Sequence, residues 1–164
     1  MKSVILFRHA KSDWSKNYSG DHERPINEKG KKAAKKMGLY LSSLNQKPDL
    51  IISSTALRTI QTFKIAMKYG NWRSNIKLDY RMYNSSTEII FKILQEINNE
   101  FFKICLVGHE PTLSTLISNI INGPTKKFST ASMAKINFKN INWKNITYNS
   151  ANLSWLIRPK EINI

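Results

Sequence analysis

Short apolar segments alternate with longer amphipathic segments along most of this chain. Four apolar runs predict buried strands, at residues 3–7, 50–53, 76–78 and 103–107. Each run is followed, directly or after a loop, by apolar residues that recur at helical spacing. Strands that alternate with helices form a mostly parallel sheet with helices on both faces. The sequence therefore predicts an α/β three-layer sandwich.

Polar residues at suitable positions indicate where the helices begin. Asn27 is suited to cap the first helix, and Ser54 or Thr55 to cap the second. Ser85 and Glu88 have the spacing of a capping box before the third. The faces that we expect to be buried are Ala33, Ala34, Met37, Leu41 and Leu44; Ala56, Ile60, Phe63 and Met67; Ile89, Ile90, Ile93, Leu94 and Ile97; and Leu113, Leu116, Ile117, Ile120 and Ile121.

The last third of the chain has a different pattern. Apolar and polar residues alternate there in two segments, which is typical of half-buried strands. The chain has 164 residues and shows no internal repeat or linker, so we expect a single domain over 1–164. The alternating apolar residues are Ala134, Ile136 and Phe138, then Leu153, Trp155 and Ile157.

The chain is strongly basic, with a formal net charge of +15. A charge of this size is compatible with a nucleic-acid binder. However, the lysines are scattered from Lys2 to Lys160, and the abundance of Lys, Asn and Ile suggests an AT-rich coding sequence. We therefore expect no nucleic-acid partner, although a positive field favours anionic substrates.

Other classes of protein are excluded more directly. Cys105 is the single cysteine, so no internal disulfide can form, and its apolar neighbours predict a buried thiol. A tyrosine-phosphatase loop would need arginine six residues later, where Pro111 stands. No apolar stretch is long enough to span a membrane, and the N-terminal run is too short for a signal peptide. We expect a cytoplasmic protein.

Cationic side chains follow three of the predicted strands. Arg8 and His9 come directly after the first strand, and His109 directly after the fourth. Arg58 lies in the first turns of the helix after the second strand. The carboxyl ends of parallel strands meet at one edge of a sheet, so these groups should lie close together. His22 has no comparable placement and is interpreted as a loop histidine.

These residue types suit phosphoryl transfer. Two guanidinium groups can hold a phosphoryl group through paired hydrogen bonds. One histidine can attack phosphorus and carry it covalently, and a second, if cationic, can stabilise the equatorial oxygens. The three histidines lack the close spacing of a metal site, so a metallophosphatase is disfavoured.

Several segments resemble one family. The segment Leu6-Phe7-Arg8-His9-Ala10-Lys11-Ser12 resembles the Arg-His-Gly signature of the histidine phosphatase superfamily, and the following Asp13-Trp14 is similar to its SixA-like phosphohistidine phosphatase branch. The segments 21–30, 53–62 and 107–111 resemble further motifs of that branch, in the same order. The resemblance covers about residues 1–160.

The resemblance implies a phosphoglycerate mutase-like fold and a set of roles. His9 would be the phosphorylated nucleophile, while Arg8, Arg58 and His109 would hold the phosphoryl group. Ser12, in the same signature segment, is a further candidate phosphate ligand. The resemblance implies no metal and no organic cofactor.

The general acid is left open by the sequence. Glu110 directly follows the second histidine, where relatives can place an acid, but it also suits a helix N-terminus. Glu88 is explained by its capping position. Asp13 and Asp21, in the loop after His9, stay open, and Tyr83 is a candidate for the pocket wall.

Three functions are compatible with these residues. The protein could hydrolyse phosphohistidine or other phosphoproteins, or it could hydrolyse small phosphate esters. It could also be a catalytically weak module that binds phosphorylated partners. Short connections predict an open cleft, which suits a protein side chain. A phosphoramidate has a better leaving group than an alkyl ester, so it has less need of an acid. The sequence favours the first function and leaves the oligomeric state open.

Overall fold

The computed structural model describes residues 1–140 and 142–163. Within these ranges six strands form one sheet, and four α-helices cover its faces. The strands are β1 Lys2–Arg8, β2 Leu50–Ser53, β3 Asn75–Leu78, β4 Lys103–Gly108, β5 Met133–Phe138 and β6 Ala151–Ile157. The helices are α1 Glu28–Ser43, α2 Leu57–Gly70, α3 Thr87–Gln95 and α4 Thr112–Ile121.

The sheet is mixed but mostly parallel, with the strand order β3-β2-β4-β1-β5-β6. The first four strands pair in parallel, whereas β5 runs antiparallel to β1 and to β6. This arrangement confirms the predicted α/β class. Within the described ranges, no helix has the length and apolar character needed to cross a lipid bilayer.

Alternate residues of the central strands contribute to two cores. Val4 and Leu6 pack with α3 and α4, while Ile5 and Phe7 pack with α1 and α2 on the opposite face. This alternation follows from the two-residue period of a strand. Cys105 is fully buried in the core beside α1 and α2, as predicted.

The first helix begins as predicted, and the second does not. The Asn27 side chain accepts a hydrogen bond from the Gly30 amide at 2.8 Å. In α2 the N-cap residue is Ala56, and no side chain caps it. The prediction that Ser54 or Thr55 caps this helix is therefore wrong. The helix begins one residue later, and both hydroxyls instead contact histidine rings of the candidate site, while Ser54 also accepts from the Ala56 amide at 3.2 Å.

Two further expectations about the helices need correction. Ser86, not Ser85, caps α3, because its hydroxyl accepts from the Ile89 amide at 3.3 Å. Because the cap is one residue later than expected, Ile89 and not Glu88 stands three residues after it, and the capping box does not form. Leu44, expected on the buried face of α1, is 38% exposed just beyond the end of that helix, whereas Ile60 and Met67 of α2 are half-buried and pack against the core. The α2 residues that are buried are Arg58, Thr59, Thr62, Phe63, Ala66 and Gly70.

A β-bulge interrupts the last pair of strands. Leu153 pairs with Ile136 and Trp155 with Lys135, so one additional residue, Ser154, lies between them. As a result, Leu153 packs in the core beside α3 and α4, while Trp155 packs on the opposite face of the sheet. The alternating pattern predicted the strand correctly, but its implication of a single buried face is wrong beyond Ser154.

Candidate active site

Two neighbouring central strands place the main candidate residues at one edge of the sheet. Arg8 is the last residue of β1 and pairs with Gly108, the last residue of β4. The His9 amide then donates to the Gly108 carbonyl oxygen at 3.1 Å. The helices that follow these two strands lie on opposite faces of the sheet. Such a divergence opens a crevice at the carboxyl ends of the strands.

The rings of His9 and His109 lie side by side in this crevice, with centroids 5.3 Å apart and planes tilted by 50°. The Nδ1 atom of His9 is 2.8 Å from the Ala10 carbonyl oxygen. Because a carbonyl only accepts, Nδ1 carries the hydrogen and donates it. When the ring is neutral, Nε2 of His9 therefore has a free lone pair.

Burial keeps His9 neutral. Burial, together with the smaller effect of the Arg58 and Arg8 charges, lowers the pKa of His9 to about 4. A neutral imidazole with a free Nε2 lone pair is the form of histidine that can act as a nucleophile.

His109 is also neutral in this state of the site. Its Nε2 forms a hydrogen bond with the Ser54 hydroxyl at 2.8 Å. Burial, followed by the charge of Arg58 and the neighbouring His9, lowers the pKa of His109 to about 3. The sequence considered a cationic second histidine, whereas here His109 is neutral at pH 7. It can therefore offer one N–H donor to an anion.

Arg58 is held by an acidic partner from the loop after β1. It is buried, and its two terminal nitrogens donate to the Asp21 carbonyl oxygen at 2.8 Å and to Asp21 Oδ2 at 3.0 Å. The Tyr83 hydroxyl donates to the same Oδ2 atom at 2.7 Å. This hydrogen bond and the charge of Arg58 hold the pKa of Asp21 below its ordinary value. Asp21 is therefore ionised.

His22 lies in the loop after β1, in agreement with its interpretation as a loop histidine, and its ring contacts Thr55 and Tyr83. Its Nε2 is 2.8 Å from the Thr55 hydroxyl. Its ring meets the Tyr83 ring edge-to-face with centroids 4.9 Å apart, and Tyr83 meets His109 in the same way at 5.5 Å. The proposed placement of Tyr83 in the pocket wall agrees with these contacts. His22 lies in segment 21–30, which resembles a family motif, and this resemblance could have indicated that His22 lies near the site.

Backbone hydrogen bonds bring the loop that carries Asp21 and His22 back to the pocket. The Asp13 amide donates to the Pro25 carbonyl at 2.8 Å, and the Asn27 amide donates to the Lys11 carbonyl at 2.8 Å. Ser12 forms an isolated antiparallel bridge with Ile26 between them. The chain therefore leaves β1, turns at the surface and returns beside its own start.

The resulting pocket has a volume of about 380 Å³. Arg8 reaches it from the end of β1, with Nη1 donating to the Phe128 carbonyl at 3.0 Å. Among the buried nitrogens without a hydrogen-bond partner in the described residues are Arg8 Nε and His109 Nδ1. Such groups are rare in folded proteins and indicate where a polar ligand could be satisfied. The pocket is lined by Arg8, His9, Lys11, Ser12, Trp14, Asp21, Arg58 and Thr130.

Comparison with known proteins decides the family of this fold and pocket. The model of the histidine phosphatase superfamily (branch 1) matches residues 4–86, which make up half of the chain and include Arg8, His9 and Arg58. The chain belongs to the histidine phosphatase superfamily.

Solved structures extend the likeness of this histidine phosphatase domain to nearly the whole chain. A candidate phosphohistidine phosphatase SixA from Agrobacterium tumefaciens is 27% identical, with a TM-score of 0.82, covering 96% of this chain and 98% of that one. The protein histidine phosphatase SixA complexed with tungstate has a TM-score of 0.84 at 17% identity, covering 97% of this chain and 98% of that one.

A sequence relative matches a shorter part of the chain. A chloroplastic Arabidopsis thaliana protein is 44% identical over 63 residues, which span 38% of this chain and 29% of that protein.

Glu110 of this histidine phosphatase lies beside the pocket and stabilises α4. Its Oε1 accepts a hydrogen bond from the Ser114 amide at 2.7 Å. The side chain lines a neighbouring cleft that shares Arg8 and Thr130 with this pocket. Asp13 organises its own loop, because its carboxylate accepts hydrogen bonds from the Ser15 amide and the Tyr18 hydroxyl. These hydrogen bonds lower the pKa of Asp13 to about 2. Within the described residues, no cluster of three or more potential metal ligands occurs.

Proposed function

We propose that the protein is a phosphatase that hydrolyses phosphohistidine in proteins through a covalent intermediate on His9. The observation that carries this proposal is the neutral His9. Its hydrogen is held on Nδ1 by Ala10, and it lines a pocket together with two arginines. A protein of similar fold, the protein histidine phosphatase SixA, was solved in complex with tungstate, which is a tetrahedral oxyanion like phosphate.

In the first step, the Nε2 lone pair of His9 forms a bond to phosphorus. The P–N bond of the substrate breaks, and its electron pair stays on the departing imidazole. That ring enters protonated on its other nitrogen and therefore leaves neutral. In the second step, water bonds to phosphorus, the bond to His9 Nε2 breaks, and the water proton passes to solvent. His9 is restored, and inorganic phosphate is released.

Arg8, Arg58 and His109 hold the phosphoryl oxygens during both steps. Phosphoryl transfer depends mainly on positioning and on neutralising charge, which fixed guanidinium groups supply. Asp21 holds Arg58 in place through two hydrogen bonds. Ser12 lines the same pocket and is a further phosphate ligand in this proposal.

The acidic residues favour a P–N substrate over an alkyl ester. Among the described residues that line the pocket, Asp21 is the carboxylate, and it is ionised and engaged by Arg58 and Tyr83. Glu110 is engaged by the Ser114 amide. Neither is well placed to protonate a leaving alkoxide. A leaving imidazole does not need this proton, so we assign Glu110 a structural rather than an acidic role.

The test compares substrates and nucleophile variants. Purified protein should release phosphate from a phosphohistidine peptide much faster than from sugar phosphates. Radiolabelled substrate should leave an acid-labile label on the wild-type protein. His9→Ala should lose the label and the turnover, with a rate decrease on the order of 10³ or more. Arg58→Ala should retain the label but turn over on the order of 10²–10³ more slowly.

Two results would contradict the proposal in different ways. Retained turnover in His9→Ala would show that His9 is not the nucleophile. Fast hydrolysis of sugar phosphates without any hydrolysis of phosphohistidine would show that the substrates are small phosphate esters. The covalent mechanism on His9 would still stand. Thermal unfolding of each variant checks that the fold survives, which we expect because, among the described residues, the His9 ring hydrogen-bonds only the adjacent Ala10 carbonyl.

A further inference from the structure

An exposed tryptophan stands at the phosphate pocket. Trp14 is 72% exposed and lines the pocket together with His9 and Arg58. Tryptophan is highly buried on average, so such exposure beside a polar pocket is unusual. None of the steps of the proposed reaction uses this side chain.

Arg24 fixes the orientation of the Trp14 ring. Its guanidinium carbon lies 3.6 Å from the ring centroid, which is a close stacking contact. The guanidinium is itself held, because Nη1 donates to the Asp13 carbonyl at 2.9 Å. Arg24 therefore covers one face of the indole, and the high exposure of Trp14 leaves the other face open to a ligand.

The loop beneath Trp14 is also held in place. The Asp13 amide is bonded to Pro25, and the Asp13 carboxylate accepts from the Ser15 amide and the Tyr18 hydroxyl at 2.8 and 2.7 Å. A rigid aromatic surface binds a planar ring at a low cost in conformational entropy.

We propose that Trp14 is a stacking platform for an aromatic ring bonded to the phosphoryl group in the pocket. For phosphohistidine this ring is the departing imidazole, and that assignment rests on the proposed function. Trp14 then discriminates between substrates by the group attached to phosphorus, while Arg8, Arg58 and His109 hold the phosphoryl group common to them all. Trp14 is thus the residue that sets substrate preference at the proposed site.

The experiment measures a ratio of substrates in matched variants. The first ratio is kcat/KM for a phosphohistidine peptide against phosphoramidate, which has a P–N bond and no ring. The second is kcat/KM for phenyl phosphate against ethyl phosphate. In Trp14→Ala both ratios should fall about three- to tenfold, the range expected for one aromatic contact, mainly through KM of the ring substrate. Trp14→Phe should recover most of the loss.

Tyr69 provides the matched control. It is an exposed aromatic residue with Lys35 and Lys68 against its ring, and it stands at the end of α2 far from Arg58. Tyr69→Ala should leave both ratios unchanged.

Equal losses on ring and ringless substrates in Trp14→Ala would overturn the platform, as would no loss at all. The phenyl and ethyl phosphate pair keeps this test separate from the proposed function. If the wild-type protein does not hydrolyse phosphohistidine, the proposed function fails. The ratio of kcat/KM for phenyl phosphate to that for ethyl phosphate then decides by itself whether Trp14 is a stacking platform.

Discussion

At the scale of single residues, the site depends on two histidines that the fold keeps uncharged. Burial lowers the pKa of His9 to about 4 and that of His109 to about 3. Neutral rings beside Arg8 and Arg58 avoid repulsion among like charges and preserve the Nε2 lone pair of His9. Positive charge in the pocket therefore comes from the arginines.

This electrostatic arrangement can be observed by NMR. In protein labelled on histidine, the rings of His9 and His109 should show the shifts of neutral imidazole from pH 8 down to about pH 5, and His9 should protonate near pH 4. Inorganic phosphate should move both transitions to higher pH, because a bound anion stabilises the imidazolium form. Spectra of His9→Gln and His109→Gln supply the assignments. Protonation of both rings near pH 6.5 would contradict the prediction.

The same pKa shifts predict how stability depends on pH. In the unfolded chain a histidine takes up its proton near pH 6.5, whereas in the fold His9 does so near pH 4 and His109 near pH 3. Between these values the unfolded state binds more protons, so the free energy of unfolding decreases as the pH falls below about 6.5. Each buried histidine contributes a slope of up to about 1.4 kcal/mol per pH unit.

Urea unfolding between pH 5.0 and 6.5 measures this slope in the wild-type protein, in each single Gln variant and in the double variant. We expect each substitution to make the slope shallower. An unchanged slope in the double variant would show that other groups cause the pH dependence.

At the scale of elements, α1 and α2 approach each other closely on one face of the sheet. Gly38 of α1 faces the backbone of Ala66 in α2, and a Cβ at Gly38 would lie 2.3 Å from the Ala66 carbonyl oxygen. That contact involves main chain, which cannot move aside as a flexible side chain would. The two helices would have to separate to accommodate even one methyl group.

Gly38→Ala should therefore destabilise the protein by about 1–3 kcal/mol through overpacking, although alanine is intrinsically the better helix former. Gly123→Ala is the matched control, because a Cβ there meets its nearest atoms at an ordinary 3.7 Å. Denaturant unfolding of the two variants checks the difference. A Gly38→Ala variant as stable as Gly123→Ala would show that the helices separate at no cost.

Elements and their order could be predicted from the sequence because apolar periodicity and strand-end geometry are local rules. They place Arg8, His9, Arg58 and His109 at one sheet edge, as the structure does. The contacts of Asp21 and His22 could not be predicted in the same way, because they depend on how the loop after β1 folds back. The bulge at Ser154 was also missed, although the consecutive apolar residues Trp155, Leu156 and Ile157 depart from strict alternation at that point.

At the scale of the whole molecule, the net charge of +15 gives the protein a positive field. Such a field speeds the encounter with acidic partners and is screened by salt. The expectation that nucleic acid is not a partner stays a prediction. For the phosphoprotein substrate that we propose, the field would favour acidic sequences around the phosphorylated residue.

The charge predicts a salt effect on substrate capture. For a phosphohistidine peptide with acidic flanks, kcat/KM should fall about tenfold when ionic strength rises from about 0.05 to 0.5 M. A peptide with neutral flanks should show a clearly smaller decrease. Identical salt dependence for the two peptides would mean that the excess of lysine is compositional and has no part in recognition.

The hydrogen bond from the His9 amide to Gly108 has a consequence for how this enzyme could be re-engineered. It continues the ladder of β1 and β4 by one step, so the separation of the two imidazoles is fixed by inter-strand spacing in the middle of the sheet. Trp14 and Arg24, by contrast, stand on a loop outside that ladder. If Trp14 is the platform that we propose, grafting residues 13–24 between homologous scaffolds should exchange leaving-group preference while the distance between the His9 and His109 rings stays constant.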